Sequence, residues 1–242
     1  TRVRSSAASD VYKRQVLFEY EPLRPLAFSE YKNDKTGELK EFSLNILNEV
    51  EINISGYNIS DVELTDTQLS AIPQEIRNFF PKGTRSFHVT TSHNITNEDG
   101  KIESIDLNFE EESLGTQNMF ILNPILLHVL KEGKVLIIDE LDKSLHPFLV
   151  KYIVKIFNSE EFNKKGAQLI FNTHDTNLLN LSLFRRDQIW FTEKDYKKGA
   201  TDLYPLDDFP VRKTENIEKG YLNGKYGAIP FIALGEQLWP EE

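Results

Sequence analysis

The chain has 242 residues, of which 39% are hydrophobic and 27% charged, and its formal net charge is −10. This is the composition of an ordinary globular protein. The acidic balance argues against a uniformly basic surface for nucleic acid, although 28 Lys and Arg residues leave room for a local basic patch. The absence of cysteine excludes disulfides and thiolate metal sites. No apolar run reaches the roughly eighteen residues of a membrane span, so we expect none. The absence of cysteine fits a reducing compartment, and we expect a cytoplasmic protein.

Residues 1–15, "TRVRSSAASDVYKRQ", differ in composition from the rest of the chain. They are basic and rich in serine and alanine, with no starting Met and no apolar core of a secretory signal. A transit peptide and a non-native lead both fit this composition. We favour the non-native lead and exclude the segment from the fold. The missing Met also predicts that the native protein extends further upstream.

Residues 16–86 are predicted to form an inserted lobe of helices and irregular segments. Prolines at positions 22 and 25 favour an irregular or short extended segment in "VLFEYEPLRPLAF". Phe42, Ile46 and Leu47 follow a helical spacing in "ELKEFSLNILNEV", which predicts an amphipathic helix. Short helices are expected in "TDTQLSAIPQEIRNFF", where a proline at position 73 interrupts the pattern.

A β-hairpin is predicted after this lobe. Two strand-like segments, "RSFHVTTSHNIT" and "KIESIDLNF", are separated by the turn sequence "NEDG". The second segment shows apolar alternation at Ile102, Ile105, Leu107 and Phe109, which supports this prediction.

Helices and buried strands alternate in the second half of the chain. A helix in "TQNMFILNPILLHVLKEG" is predicted to end at Gly133, and a strand follows at residues 134–138. The next predicted elements are a helix at 147–158, a strand in "AQLIFNTH", a short helix in "TNLLNLSLFRR" and a third strand in "DQIWFTEKD". This order predicts right-handed crossovers and a largely parallel sheet.

Two adjacent acids, Asp139 and Glu140, follow the apolar run "KVLII". A carboxylate at the carboxyl end of a buried strand lies where open α/β sheets bind their ligands. An aspartate there is suited to Mg²⁺ in phosphoryl transfer, and the adjacent glutamate can polarise an attacking water. The alternative is a pair of solvated or helix-capping acids.

His174 follows the second buried strand, in "LIFNTHD". A neutral imidazole offers one donor and one acceptor, so it can contact a phosphate or hold a water. If the two strands are neighbours in a parallel sheet, His174 lies beside the acid pair. A histidine that only stabilises a turn is the alternative.

A third candidate segment is "EESLGTQN", at the start of a predicted helix. Ser113 and the backbone around Gly115 offer hydroxyl and amide donors where anions bind favourably. Ser113 is equally well explained as the N-cap of this helix.

Together these segments resemble the ABC-class ATPases of the SMC-like branch. "SLGTQ" (Ser113, Gly115, Gln117) is similar to the signature motif, and "VLIIDE" to Walker B with its catalytic glutamate, Glu140. "SLHP" (Ser144, His146) is similar to the D-loop, and His174 to the switch histidine. The longer string from "IDELDKSLHP" to "GKYGAIPF" resembles bacterial abortive-infection or AAA15-type ATPases more closely.

The resemblance implies an α/β fold, half of an ABC-type P-loop NTPase, with a largely parallel sheet flanked by helices. The β-hairpin and the small helical lobe would be additions to it, and residues 87–242 the carboxyl-terminal lobe. ATP and Mg²⁺ are the implied cofactors, with Asp139 at the metal. Glu140 and His174 would be catalytic, and Ser113, Gly115, Gln117, Ser144 and His146 would contact nucleotide. The implied function is an ATP-hydrolysing switch that dimerises around ATP and controls an anti-phage effector or toxin.

The chain departs from this family in one motif. No "GxxxxGK[ST]" occurs, and the nearest sequences, "PKGT" and "EGK", lack the first glycine. The resemblance places that phosphate-binding loop near the amino terminus, so we interpret the chain as a carboxyl-terminal fragment. We expect the chain alone to bind ATP poorly and not to hydrolyse it.

Two other classes of function remain open. A nuclease could use Asp187, Glu193 and Asp195 as metal ligands, and a non-catalytic interaction module could keep the fold without the chemistry. Residues 218–230, "EKGYLNGKYGAIP", are predicted to be either a packed surface loop or an interaction surface.

Overall fold

The structure is a computed structural model of the chain that describes residues 20–63, 85–143, 145–195, 198–212 and 214–229. The chain divides into two compact units, Thr1–His174 and Asp175–Glu242. The lead at 1–15 and the short helices expected at 65–80 lie outside the described residues, as does Ser144. No helix in the described ranges is long and apolar enough to cross a membrane.

Two helices begin the described part of the first unit, α1 (Tyr20–Asn33) and α2 (Glu38–Glu49). The helix predicted around Ile46 and Leu47 is confirmed by α2, in which both are buried. The prediction of an irregular segment before it is wrong, because α1 continues through Pro25. A proline inside a helix removes one backbone hydrogen bond. Burial of Ala27, Phe28 and Tyr31 offsets that loss.

An antiparallel sheet follows, in the order β1 (Gly56–Glu63), β2 (Arg85–Thr96) and β3 (Ile102–Asn108). The predicted hairpin is therefore confirmed, with β2 and β3 paired from Thr90↔Asn108 to Thr96↔Ile102. β1 was not predicted. In β3, Ile102 is 74% and Ile105 42% exposed. The predicted boundary between residues 86 and 87 falls inside β2.

Helices and a parallel strand pair complete the first unit. They are α3 (Leu114–Glu132), β4 (Val135–Ile138), α4 (Pro147–Asn158) and β5 (Gln168–Phe171). β4 and β5 are parallel, with Ile138 beside Phe171 at their carboxyl ends. α3 ends at Gly133 as predicted, since φ is +63° there and an added Cβ would lie 2.5 Å from the Lys165 carbonyl oxygen.

An aromatic cluster joins the helices of the first unit to its antiparallel sheet. Phe28 packs edge-on against Phe87 of β2 at 6.0 Å, and Tyr31 packs edge-on against Tyr57 of β1 at 5.0 Å. Tyr31 also stacks on Phe120 of α3 at 4.1 Å. The Tyr31 hydroxyl hydrogen-bonds Ser43 Oγ and donates to the Phe120 carbonyl, each at 2.9 Å. Burial raises the pKa of Tyr31 well above its usual value, so this phenol stays neutral.

The second unit contains the hairpin β6 (Trp190–Asp195) and β7 (Ala200–Pro205) and a short helix, α5 (Ile217–Leu222). The strand predicted in "DQIWFTEKD" exists, but it pairs antiparallel with β7 and belongs to a separate sheet. The helix predicted in "TNLLNLSLFRR" is wrong, since the described helical structure there is a single 3₁₀ turn, Thr176–Leu178.

The described residues therefore form a mixed α/β protein with small sheets, and the largely parallel sheet is not seen in them. The pairings β1–β2, β2–β3 and β6–β7 are antiparallel, and β4–β5 is parallel. The antiparallel pairing of β6 has a local cause, because its partner β7 follows it after a short turn at Lys198 and Gly199. A hairpin partner so close in sequence needs no crossover.

Candidate functional site

The two parallel strands β4 and β5 bring the predicted catalytic residues to one edge. The pairing of Ile138 with Phe171 places Asp139 beside Asn172, one residue beyond each strand. The Asn172 side-chain amide donates from Nδ2 to Asp139 Oδ1 at 2.5 Å. Its Oδ1 accepts the backbone N–H of Glu140, also at 2.5 Å. One asparagine therefore orients both acids.

Glu140 has a left-handed backbone, with φ at +51°. A non-glycine residue in this region costs on the order of 1 kcal/mol and persists where neighbouring bonds over-determine it. Here Asn172 supplies those bonds, because its side chain accepts the Glu140 N–H and its carbonyl accepts the Leu141 N–H at 3.2 Å. The turn directs the Glu140 side chain out of the strand register.

His174 and Lys143 flank the Glu140 carboxylate. His174 Nε2 lies 3.7 Å from Glu140 Oε1, and Lys143 Nζ lies 3.6 Å from Oε2. The His174 backbone N–H is held by Asp142 Oδ1 at 3.3 Å. The His174 side chain is 85% exposed and that of Glu140 44%. Acid and imidazole are thus close together and open to solvent, which an attacking water requires.

Asp139 suits Mg²⁺ by the chemistry of its donor atoms. Mg²⁺ commonly takes one or two protein carboxylates and completes its shell with water and phosphate oxygens. Asp139 is exposed at the strand end, and one of its oxygens is oriented by Asn172. The described residues contain no group of three or more His, Asp or Glu side chains arranged to hold a metal ion. The described residues therefore do not form a metal site whose ligands all come from protein side chains.

The predicted phosphate-contacting serine is the N-cap of α3. Ser113 Oγ accepts the Thr116 backbone N–H at 3.1 Å and lies 2.8 Å from the Thr116 hydroxyl. The N-cap interpretation of Ser113 is therefore confirmed, and its contact with phosphate stays a prediction. Gln117, by contrast, is engaged within the fold: it donates to the Glu112 carbonyl at 2.9 Å and accepts from Arg24 Nη2 at 2.7 Å.

The turn at Ser113 and the segment before α4 open into one cavity of about 1130 Å³. His146 caps α4, since its Nδ1 accepts the Phe148 N–H at 3.3 Å. Residues that line the cavity include Ser113, Gly115, Thr116, His146, Phe148 and Lys151. The lining does not include Asp139, Glu140 or His174. Of the predicted site residues, Asp139, Glu140 and His174 thus form one cluster at the strand ends, and Ser113, Gly115 and His146 form a second one at the cavity.

The acids considered as nuclease ligands lie in the second unit, and each has a local partner. Arg185 donates to both Asp187 oxygens, at 3.0 and 2.8 Å, and this bond and charge lower the pKa of Asp187. Glu193 accepts from the Tyr204 hydroxyl at 3.1 Å, and Asp195 is paired with Lys198 at 3.1 Å. The three carboxylates serve structural contacts, as expected of solvated flanks of a strand.

Two features of the sites were missed in the sequence. The sequence pattern predicts Asn172 only as part of a strand end, although its place two residues before His174 is the signal that could identify it. For residues 218–230 it predicts either a packed surface loop or an interaction surface. In the structure Tyr226 is 1% exposed and stacks on Phe191 at 5.7 Å, so this segment closes the core of the second unit.

A sequence model of the family described as "AAA domain, putative AbiEii toxin, Type IV TA system" matches residues 13–180, more than half of the chain. The match includes α1 to α4, β1 to β5 and His174. A comparison with curated proteins gives no significant match. The mixed α/β architecture of the first unit is consistent with an AAA-type domain.

Proposed function

The chain belongs to the family of AAA domains whose sequence model it matches, and we propose from this premise that it contributes the hydrolytic residues of an ATPase switch. The observation that carries the proposal is the Asn172 side chain, which orients the Asp139 carboxylate and fixes the Glu140 backbone in one contact. An asparagine bridging two acids at the ends of parallel strands is arranged for chemistry at that edge.

Each side chain of the strand-end cluster has a role in this proposal. Glu140 accepts a proton from the water that attacks the terminal phosphate, and its half-exposed carboxylate has room for that water. His174, 3.7 Å from Glu140, holds the same water or the phosphate through its second nitrogen. Mg²⁺ held by Asp139 would neutralise phosphate charge.

The loop that would surround the phosphates is not supplied by these 242 residues, because "GxxxxGK[ST]" is absent from the sequence. We place that loop elsewhere in a longer protein of which this chain is a part. The backbone amides and lysine of such a loop would hold the β- and γ-phosphates. The strand-end cluster described here would then act on the γ-phosphate.

The cavity residues act on a different nucleotide from that of the strand-end cluster in this proposal. Ser113 and Gly115 line a cavity without the acids, as expected if they close on ATP held by a second subunit. ATP between two subunits supplies the differential affinity that shifts an open–closed equilibrium. The dimer, in the SMC-like manner, would control an effector or toxin in abortive infection. ATP hydrolysis resets it.

The direct test is Glu140→Gln in the longer protein. Glutamine keeps the shape of the side chain and loses the base, so ATP binding should survive and hydrolysis should fall by two orders of magnitude or more. Steady-state ATPase assays and nucleotide-binding calorimetry measure the two effects separately. Glu160→Gln, at an exposed acid after α4, is the matched control. Activity in Glu140→Gln within threefold of the control would refute the assignment.

A further inference from the structure

Glu112, the residue immediately before Ser113, carries a carboxylate that is almost fully buried. Its side chain is 7% exposed, and its Oε1 lies 2.6 Å from His93 Nε2. The same oxygen accepts from the hydroxyl of Thr91, a residue with no exposed surface. A buried carboxylate is costly unless hydrogen-bonded, so these two partners are what make the position tolerable.

Both partners come from one strand. Thr91 and His93 are two residues apart in β2, and alternate residues of a strand point to the same face. Their register with β3, Thr91↔Leu107 and His93↔Ile105, places them in the paired part of the hairpin. The antiparallel sheet therefore presents a fixed donor pair to the chain just before α3.

The backbone of Glu112 is held as well. Its carbonyl accepts from Gln117 Nε2 at 2.9 Å, and Gln117 accepts in turn from Arg24. The Arg24 guanidinium lies 5.1 Å from the Phe109 ring centre. Glu112 is thus tied to β2 by its side chain and to α1, through Gln117, by its carbonyl.

We infer that Glu112 is a positioning residue that sets the turn of residues 113–117 through Thr91 and His93. The turn has two backbone bonds of its own, Thr116 N–H to Ser113 Oγ at 3.1 Å and Gln117 N–H to the Ser113 carbonyl at 2.9 Å. Both bonds depend on the position of Ser113. The contacts of Glu112 fix the chain at the residue immediately before Ser113. The link of this turn to nucleotide rests on the proposed function.

The inference also makes the antiparallel sheet part of the switch. A displacement of β2 would be transmitted to Ser113 and Gly115 through one carboxylate, without passing through the strand-end cluster. Two sites are coupled when the element between them can adopt two arrangements and the state of each site favours one of those arrangements. In this arrangement the sheet controls the presentation of the turn, and the strand-end cluster controls hydrolysis.

Amide hydrogen exchange on the 242-residue chain tests the positioning directly. Glu112→Ala leaves Thr91 and His93 without their acceptor, and we expect exchange at Thr116 and Gln117 to rise about tenfold or more. Glu112→Gln keeps an oxygen at the same reach and should stay within about threefold of wild type. Glu110→Ala is the control, because that neighbouring acid is 67% exposed and 3.8 Å from Arg24.

The exchange of the Asn172 amide, which donates to the Ile138 carbonyl at 3.4 Å, reports whether the rest of the unit stays folded. If Glu112→Ala also accelerates exchange of the Asn172 amide, His93→Ala is used instead of Glu112→Ala. The His93 side chain is 18% exposed, and its loss removes only one of the two partners of Glu112. Unchanged exchange at Thr116 and Gln117 in both alanine variants, or an equal rise in Glu110→Ala, would overturn the inference.

ATP turnover in the longer protein separates this inference from the proposed function. Glu112→Ala should lower kcat about tenfold or more with the affinity for the first ATP unchanged, and Glu112→Gln should restore most of kcat. If Glu140→Gln abolishes hydrolysis while Glu112→Ala has wild-type kcat, the inference fails and the proposed function stands. If Glu140→Gln is fully active, the proposed function itself fails.

Discussion

Asn172 shows how much one side chain determines at the candidate site. Its amide has a carbonyl oxygen and an NH₂ group, and the structure uses the first for Glu140 N–H and the second for the Asp139 carboxylate. A planar amide accepts at its oxygen and donates at its nitrogen, which an ionised carboxylate cannot do. An aspartate of the same shape would place like charge against Asp139.

We therefore expect Asn172→Asp to disable the site in the longer protein. The substitution removes the Nδ2 donor and adds repulsion toward Asp139, and loss of such supporting contacts at metal sites typically costs 10–100-fold. The loss is measured as ATP hydrolysis at increasing Mg²⁺ concentrations. We expect the variant to need more Mg²⁺ than the wild type. Asn177→Asp is a matched control, because Asn177 Nδ2 also donates to an aspartate, Asp175, at 2.7 Å. Equal activities of the two variants would contradict the role of Asn172.

At the residue scale the sequence identified the acids and the histidine but not what holds them. Asp139, Glu140 and His174 could be predicted as neighbours, because buried apolar runs before each indicate adjacent parallel strands. Their proximity is confirmed by the 3.7 Å contact of His174 with Glu140. The Glu140 turn and the Asn172 bridge could not be predicted, since a left-handed backbone at a glutamate has no sequence pattern.

At the element scale, local patterns succeeded where long-range packing agreed with them. α3 and α4 begin and end within a residue or two of their predicted positions, because each has a cap and a continuous apolar stripe. α1 was missed because its prolines argue locally against a helix, and aromatic packing overrides them. β6 was found as a strand and misplaced, because its pairing with β7 depends on a partner whose sequence, "ATDLYP", is only weakly strand-like.

The fit of α5 against Tyr226 gives a prediction for Gly220. A Cβ added at Gly220 would lie 2.7 Å from Tyr226 Oη and 2.8 Å from Cε2, and the ring is fully buried. Gly220→Ala gains about 1 kcal/mol of helix propensity, but overpacking a rigid ring costs about 1–3 kcal/mol. We expect a net loss of about 1 kcal/mol in the free energy of unfolding of the second unit.

Tryptophan fluorescence during urea unfolding measures this loss, because Trp190 lies in β6 of the second unit. Lys219→Ala is the control substitution, because Lys219 is an exposed residue of the same helix. A Gly220→Ala variant as stable as the parent would show that the ring can move aside.

Two tyrosines of the second unit, Tyr226, which is buried, and Tyr204, which is partly buried, predict sensitivity to alkali. Burial, with a hydrogen bond to Glu215, raises the pKa of Tyr226 to about 12. Burial, with Glu193 as its partner, raises the pKa of Tyr204 to about 12. An unfolded tyrosine ionises near pH 10, so the stabilisation is fully present below pH 10 and is lost as the pH rises through 12.

We therefore expect the urea midpoint reported by tryptophan fluorescence to fall between pH 10 and 11.5 more steeply than between pH 8 and 10. The double substitution Tyr204→Phe and Tyr226→Phe removes both ionisable groups and should flatten that fall. A midpoint that falls equally steeply in the double variant would assign the alkaline loss to other groups.

At the scale of the whole molecule, the proposed function requires a dimer. The cavity at Ser113, Gly115 and His146 has a lining that excludes Glu140. Under the proposal, a single chain would supply one half of each of two different sites. Two chains in a symmetric dimer would each complete the other, and catalysis would depend on closure. Sequence indicated this arrangement only through resemblance, because no local pattern encodes the face a partner covers.

A mixing experiment with two inactive variants of the longer protein tests this arrangement. Ser113→Arg puts a bulky cation into the interface and should abolish hydrolysis while its own ATP pocket still binds nucleotide. Glu140→Gln retains the turn at Ser113 and lacks the base. In an equal mixture about half the dimers are mixed, and each has one working site, in which Glu140 of the arginine variant faces the intact Ser113 of the other subunit. We expect about a quarter of wild-type activity, because half of the dimers are mixed and each mixed dimer has one working site of two.

Asn216→Arg, at the N-cap of α5, controls for the loss of a helix cap and should be active by itself. No activity despite heterodimers seen by native mass spectrometry, or normal hydrolysis by Ser113→Arg as a monomer, would show that Ser113 is only the cap of α3.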